Sequence, residues 1–287
     1  MAISDWHLAF SQTPTANSQT PTAMNVYLKT PDEIAIMREA GRIVARAHEA
    51  MREAIRPGVS TAELDKIAET VIRDHGAVPA FLNYPKPGAP NYPATINASI
   101  NNQLVHGIPS PNCILKEGDI ISLDVGCHYQ GFVGDAAFTA AVGQISASVQ
   151  RLLDVTEKAL EVGIQASVLP NDVRGVALAI QNYVERQGYS VAREYTGHGV
   201  GRAMHEEPQV PNWWPRSPKA GRRRGWENTA LKVGMTYAIE PMVIAGRSDL
   251  RELSDGWTVV TADGSLCAHF EHTIAVTEGQ PIILTLP

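Results

Sequence analysis

Two stretches of the sequence, LKEGDIISLDV at residues 115–125 and LKVGMTYAIEP at residues 231–241, match when one is shifted by 116 residues (231 − 115). In this register Asp124 lies opposite Glu240. Both stretches are short apolar runs after a glycine, a pattern that is typical of buried strands. One short match is weak evidence, so the sequence around the two stretches decides whether the chain is duplicated.

The same landmarks surround both stretches in the same order. His106 in HGIP precedes the first stretch, and His205 in HEEP precedes the second. Downstream, Asp135 opens DAAFTAAVG and Glu271 opens EHTIAVTEG. Upstream, capping boxes at residues 30–33 and 60–63 predict one helix pair, and apolar residues at helical spacing from near Ser148 and Asp172 predict a second. Repetition of this order indicates an internal duplication.

Composition limits the class of protein. Of 287 residues 44% are hydrophobic and 19% are charged, as in globular proteins. The net charge of −6 argues against a dedicated nucleic-acid binder. Three cysteines without CxxC spacing favour a reduced, cytoplasmic setting, and no apolar run approaches the roughly 18 residues of a membrane span.

The polar start of the chain differs from the rest. Residues 1–24 repeat SQTPTA and hold no Lys or Arg, which predicts a disordered tail and argues against a targeting peptide. We expect residues 25–287 to form a single catalytic domain, with halves at about 25–145 and 146–287 and an inserted loop at about 212–228.

Four acidic residues are common to the two halves. A pseudo-twofold relation would bring Asp124, Asp135, Glu240 and Glu271 towards one axis. Buried like charges must take up protons unless cations neutralise them, and two divalent ions supply the balancing charge. Carboxylates with one imidazole suit Mn, Fe, Co or Zn, and two metals bridged by carboxylates form a hydrolytic site.

The imidazole comes from His198 in TGHGVG, because Ser99 occupies the comparable place in the first half. A histidine that breaks the internal symmetry makes the two metal positions unequal, so we predict that it is a ligand. His106 and His205 obey the symmetry, and we expect them to contact substrate from opposite sides.

These motifs resemble those of a known family. LVHGIP, LDVG followed by GD, TGHGVG, MHEEPQV, AIEPM and FEHTI are similar to the motifs of type I methionine aminopeptidases, the pita-bread metallopeptidases, over about residues 25–285. The resemblance implies an α+β fold in which two pseudo-twofold-related αβ halves form a curved antiparallel central sheet covered by two helix pairs. It also implies a monomer that removes the N-terminal methionine of peptides and nascent chains when the second residue is small.

The resemblance assigns roles to the metal ligands. Asp124 would bind one of two divalent ions (Co, Mn, Fe or Zn), His198 and Glu240 the other, and Asp135 and Glu271 both.

The family also assigns roles to three groups during the reaction. His205 would stabilise the scissile carbonyl as it becomes tetrahedral, and His106 would contact the peptide nitrogen side. Glu240 would also shuttle the proton.

Some positions depart from the better-known bacterial members. Asn97 stands where a cysteine is frequent, Met204 stands where an aromatic residue is common, and the loop in front of His106 is longer than usual. We still expect an apolar pocket for the unbranched thioether of methionine. Its predicted lining is Phe81, Tyr84, Tyr92, Asn97, Met204 and Trp257.

Two alternatives stay open at this point. Aminopeptidase P and prolidase share the fold and ligands but usually carry a sizeable N-terminal domain, whereas only a short tail precedes the first predicted helix here. A catalytically dead module of this fold would bind peptides or histones but would lack the metal ligands.

The segment 212–228, NWWPRSPKAGRRRGWEN, has two interpretations. Its tryptophans either pack onto the domain as part of a surface insertion, or they contact ribosomal RNA together with five basic residues. The basic residues are Arg216, Lys219, Arg222, Arg223 and Arg224.

Overall fold

A computed structural model of the protein describes residues 26–215, 226 and 228–287. The predicted tail at residues 1–24 and the five basic residues of the inserted segment lie outside the described residues. Over the described part, none of the helices is both long and apolar enough to cross a bilayer. The three cysteines are free thiols, two of them buried.

Both predicted helix pairs are present. They are Pro31–Ala54 (α1), Thr61–Asp74 (α2), Ala147–Ala166 (α3) and Val173–Arg186 (α4). The side chain of Thr30 accepts the amide of Glu33, and Glu33 accepts the amide of Thr30 in return, so the capping box predicted for α1 is formed. Ser60 and Glu63 form the same box at α2. The helices therefore begin where the sequence places their first turns.

Fifteen strands are found among the described residues. They are Val78–Pro79 (β1), Ile96–Ile100 (β2), Gln103–Val105 (β3), Ile120–Tyr129 (β4), Phe132–Ala141 (β5), Ser190–Val191 (β6), Gly197–Gly199 (β7), Glu206–Val210 (β8), Thr236–Ile239 (β9), Met242–Ile244 (β10), Leu250–Glu252 (β11), Val259–Thr261 (β12), Cys267–His269 (β13), Glu271–Ala275 (β14) and Ile282–Ile283 (β15). Nine of them form the main sheet, in the order β1-β4-β5-β14-β9-β7-β8, with β2 on β4 and β15 on β14.

The main sheet repeats itself about its centre. Strands β5 and β14 pair at the middle, and β4 flanks β5 as β9 flanks β14. Farther out, β2 pairs with β4 as β7 pairs with β9, and all these pairs are antiparallel. On the sheet, α1 packs against β4 and β5, while α3 contacts β9 and β14. The predicted antiparallel sheet with two helix pairs in two similar halves is therefore confirmed.

Two of the carboxylates differ in detail from the expectation. Glu240 was expected inside a strand, but β9 ends at Ile239. Pro241 follows and has no N–H to donate to a neighbouring strand, which explains the early end. Asp135 was expected to open a strand but lies within β5, whereas Glu271 does begin β14.

Candidate metal centre

One cavity of about 250 Å³ lies over the middle of the main sheet and is lined by every side chain that the sequence predicts for the metal and substrate sites. The thirteen predicted residues that line it are Phe81, Tyr84, Tyr92, Asn97, His106, Asp124, Asp135, His198, Met204, His205, Glu240, Trp257 and Glu271. None of the predicted site residues lies elsewhere.

Strand register brings the carboxylates together. Asp124 on β4 and Glu271 on β14 flank the same residue, Ala137 on β5. Asp135 precedes Ala137 by two positions and so shares its face of the sheet. On β9, Ile239 pairs with His272, so the next residue, Glu240, lies beside Glu271 at the end of the strand. Alternation of side chains along antiparallel strands thus gathers all four acids on one face.

His198 extends into this row from β7. Its Nε2 lies 3.7 Å from Asp135 Oδ2 and 3.5 Å from Glu240 Oε1. Its Nδ1 lies 3.0 Å from the carbonyl oxygen of Gly199 and donates to it, which leaves the Nε2 lone pair directed at the acids. One ligand atom each of Asp135, His198 and Glu271 lies within 4.8 Å of the others, close enough to hold one ion.

Removal from water dominates the electrostatics of the acids. It raises the pKa of Asp124 to about 7 and the pKa values of Asp135 and Glu271 well above their usual range, and repulsion among the carboxylates adds to the last two. The pKa of Glu240 is raised for the same reasons. Burial lowers the pKa of His198 to about 4, which keeps the ring neutral and able to ligate. The cluster therefore requires protons or cations at neutral pH.

Three buried carboxylate oxygens indicate that the cluster binds cations rather than protons. Asp124 Oδ1, Asp135 Oδ1 and Glu271 Oε1 have no hydrogen-bond partner among the described residues. Unsatisfied buried carboxylate oxygens are costly unless an ion takes them up. Carboxylate oxygens beside a neutral imidazole nitrogen fit borderline divalent metals, so the residues present suit a metal centre.

The two symmetry-related histidines lie at the edge of the cluster. His205 precedes β8, its ring centre is 4.3 Å from that of His198, and its Nδ1 lies 2.7 Å from the Tyr84 hydroxyl. His106 follows β3 with a positive φ of 60°, and its ring meets Tyr195 edge-on at 5.6 Å. Burial lowers the pKa of both rings, that of His106 to about 4, so both are neutral at pH 7.

Apolar side chains form the wall next to the histidines. Phe81 and Met204 meet over Gly126, where an added Cβ would lie 3.1 Å from Phe81 Cε1 and 3.0 Å from Met204 Cε. Tyr92 packs edge-on against Trp257 at 5.0 Å. A side chain at position 126 would crowd Phe81 and Met204, so glycine at this position lets the two side chains pack over the strand.

Asn97 lines the apolar pocket and also contacts the acid cluster. Its Nδ2 donates to Asp124 Oδ2 at 2.7 Å, because Asn97 and Asp124 face each other across β2 and β4. The sequence interpretation gave Asn97 no such contact, since residue spacing does not reveal which residues pair across strands.

Sequence reasoning missed two aromatic groups of the site. Tyr195 lines the cavity and lies three residues before His198, immediately in front of the motif TGHGVG that drew attention to that histidine. His269 lies two residues before Glu271, with its Nε2 3.8 Å from Glu271 Oε2 and 4.0 Å from Glu240 Oε2. The i, i+2 spacing to Glu271 was a readable signal, because it places both side chains on one face of an extended chain.

Comparison with known proteins agrees with this site. Residues 35–278 match the model of metallopeptidase family M24. The chain belongs to metallopeptidase family M24. Membership in a metallopeptidase family agrees with a cluster of acids and an imidazole at the centre of the main sheet.

Within the M24 family the similarity favours one branch. Methionine aminopeptidase 1 of Bacillus subtilis is 49% identical over 260 residues, which cover 91% of this chain and 99% of the relative. A crystal structure of methionine aminopeptidase from Thermotoga maritima superposes with a TM-score of 0.84 at 40% identity, covering 92% of this chain and all of that one. A Xaa-Pro dipeptidase from Bacillus anthracis gives a TM-score of 0.69 at 26% identity, and only 61% of that chain is covered. The pita-bread fold expected from the motifs is therefore confirmed.

Proposed function

We propose that this protein is a methionine aminopeptidase that removes the N-terminal methionine of peptides and nascent chains, with a preference for a small second residue. The observation that carries the proposal is the convergence of five ligand-type side chains beside an apolar cavity. Near-complete coverage of the methionine aminopeptidase from Bacillus subtilis supports it. The preference for a small second residue rests on the family resemblance.

The cluster suits two divalent ions, of Co, Mn, Fe or Zn. Asp124 would hold one ion, His198 and Glu240 the other, and Asp135 and Glu271 would be shared. When bound, such ions neutralise the acids, lower the pKa of water and polarise a carbonyl.

The protein's own groups would then orient the substrate. With the proton of His205 on Nε2, its Nδ1 would accept the Tyr84 hydroxyl, which lies 2.7 Å away, and Nε2–H would be a donor for the oxygen of the scissile carbonyl. His106 would contact the peptide nitrogen from the other side, and Glu240 would carry the proton to the leaving amine. Phe81, Met204 and the other apolar lining would enclose the methionine side chain and exclude water.

A peptide panel tests the proposal. Purified protein loaded separately with Mn²⁺, Co²⁺, Fe²⁺ or Zn²⁺ is given Met-Ala-Ser, Met-Leu-Ser and Ala-Pro-Ser, with a Glu271→Gln variant as the control. We expect Met-Ala-Ser to be cleaved far faster than Met-Leu-Ser, and Ala-Pro-Ser to remain intact. Cleavage of Ala-Pro-Ser would favour an Xaa-Pro peptidase, and no cleavage with any metal would favour a binding module.

We also propose that the enzyme acts in the cytoplasm as a monomer. Contact of residues 212–228 with ribosomal RNA stays a prediction, because the basic residues lie outside the described residues. The tryptophans at the ends of the segment favour packing instead: Trp226 is 4% exposed, and its ring centre lies 5.4 Å from that of Trp213. Co-sedimentation with ribosomes at low salt, unchanged by Ser at positions 222–224, would exclude a role for those arginines.

A further inference from the structure

His269 is a further imidazole beside the acid cluster, and neither metal binding nor substrate contact, as proposed, gives it a role. It is 3% exposed, and its Nε2 is buried without a hydrogen-bond partner among the described residues. A buried polar atom without a partner is destabilising, so the environment of this nitrogen requires an explanation.

The position of His269 ties together two segments that carry proposed ligands. It lies two residues before Glu271, and β13 pairs with β10 so that His269 faces Met242, two residues after Glu240. The backbone amide of His269 donates to Thr139 Oγ1 at 2.8 Å, and that hydroxyl donates to the His269 carbonyl oxygen at 2.8 Å. Thr139 belongs to β5, the strand of Asp135, so the backbone of His269 is held by both β10 and β5.

Glu240 and Glu271 each direct one particular carboxylate oxygen, Oε2, towards the His269 ring. Nε2 of His269 faces the Oε2 atoms of both Glu240 and Glu271, at 4.0 and 3.8 Å. The Oε1 atom of Glu240 faces His198 instead, and that of Glu271 has no hydrogen-bond partner among the described residues. Each acid thus presents one oxygen to His269 and keeps the other for the cluster.

We propose that His269 is a positioning residue of the metal centre. Its Nε2–H, which lies 4.0 and 3.8 Å from the Oε2 atoms of Glu240 and Glu271, would hydrogen-bond to them once ions hold the acids and would so direct their Oε1 atoms towards the ions. The proposal rests on the proposed metal centre. Groups that hydrogen-bond to ligands set ligand orientation, and losing one typically weakens metal affinity about 10–100-fold.

Mn²⁺ titration of the metal-free full chain by calorimetry tests this without reference to activity. His269→Leu fills the space but removes the donor, and we expect its Mn²⁺ affinity to fall about 10–100-fold. His269→Gln keeps an N–H donor and should recover most of that loss. His269→Phe, a planar ring without a donor, replaces the leucine variant if that one does not fold.

His48 offers a matched control. It is also buried, its Nε2 also lacks a partner among the described residues, and its ring packs edge-on against Phe138 at 4.7 Å. None of the described carboxylates has an oxygen within 4 Å of its ring nitrogens, so His48→Leu should leave Mn²⁺ affinity unchanged. An equal loss of affinity in this variant would overturn the proposal, because the effect would then come from removing any buried histidine.

The remaining outcomes separate the positioning role from the metal centre itself. Wild-type Mn²⁺ affinity in a folded His269→Leu protein would overturn the role of His269, and so would equal losses in the leucine and glutamine variants. Glu271→Gln belongs in the same titration. If this variant binds Mn²⁺ as the wild type does, the proposed centre fails; if it alone loses binding, only the inference about His269 fails.

Discussion

The two halves of the main sheet share a backbone frame but carry different side chains at equivalent positions. In the first half, Ser99 on β2 accepts the amide of Gly107 at 3.1 Å, and Asp124 is held by an amide, Asn97. In the second half, His198 stands in the place of Ser99, and Glu240 lies between two imidazoles. The two halves thus share their strand order, whereas their chemistry differs because different side chains stand at a few equivalent positions.

Strand pairing explains why such substitutions are tolerated. Residue 99 pairs with Ser122 across β2 and β4, and β7 pairs with β9 at the matching place in the sheet. A strand needs only backbone groups for its ladder, so a serine and a histidine can stand at equivalent positions without altering it. The second half thereby gains an imidazole nitrogen beside the acids that the first half lacks.

Removal of the asymmetric imidazole should have the largest effect. His198→Ala leaves Glu240 and Asp135 without their neighbouring nitrogen, so we expect metal content and turnover to be lost together. Turnover should fall more than the about 10²–10³-fold typical of one lost transition-state contact. Elemental analysis beside a Met-Ala-Ser assay checks this, and full metal content in the variant would show that His198 is not a ligand.

The symmetric histidine should behave differently. His205→Ala removes a proposed donor to the scissile carbonyl, so kcat should fall about 10²–10³-fold while the metal stays bound. The same two measurements apply. Loss of metal from this variant would mean that the division between ligand and substrate histidines is wrong.

A smaller effect is expected from the amide that is specific to the first half. Asn97→Ala removes the hydrogen bond to Asp124 Oδ2, and we expect Mn²⁺ affinity to drop about 10-fold, the lower end of the range for such contacts. Calorimetric titration of the metal-free protein measures it. Asn97→Gln is the control for a displaced amide, and unchanged affinity in the alanine variant would indicate that Asp124 is positioned by its strand alone.

The smallest effect is expected on stability, when the N-terminal caps of the first helix in each half are removed. Thr30 takes part in a reciprocal capping box, whereas the cap of α3 is a single hydrogen bond from the amide of Val149 to Ser146 Oγ, at 3.4 Å. Thr30→Ala should lower the free energy of unfolding by about 1 kcal/mol. Ser146→Ala should cost less, because its hydrogen bond is not part of a reciprocal box. Thermal unfolding of both variants decides, and an equal or larger loss at Ser146 would contradict the comparison.

Much of the fold and site could be predicted because the informative residues are close in sequence. Capping boxes, the repeat of LKEGDIISLDV and the histidine of TGHGVG all appear within short windows, where local chemistry restricts the backbone. The contact of Asn97 with Asp124 and the place of His269 depend on which residues face each other across strands. Register of this kind is set by the packing of the whole sheet and not by any one window.

Lys29, immediately before the capping residue of α1, crosses to the second half of the molecule. Its side chain is 3% exposed and pairs with Glu206 at 2.5 Å, and its backbone amide donates to the carbonyl oxygen of Gly234. The other oxygen of Glu206 accepts the amides of Arg202 and Ala203, which lie in the turn that carries His205.

This ion pair makes Lys29 a chemical reporter for the turn that carries His205. An amine-directed acylating reagent should modify the exposed lysines of the folded protein at once and Lys29 only when the turn opens. Peptide mapping of the labelling rate at this single lysine would therefore follow the opening of a loop on the far half of the chain.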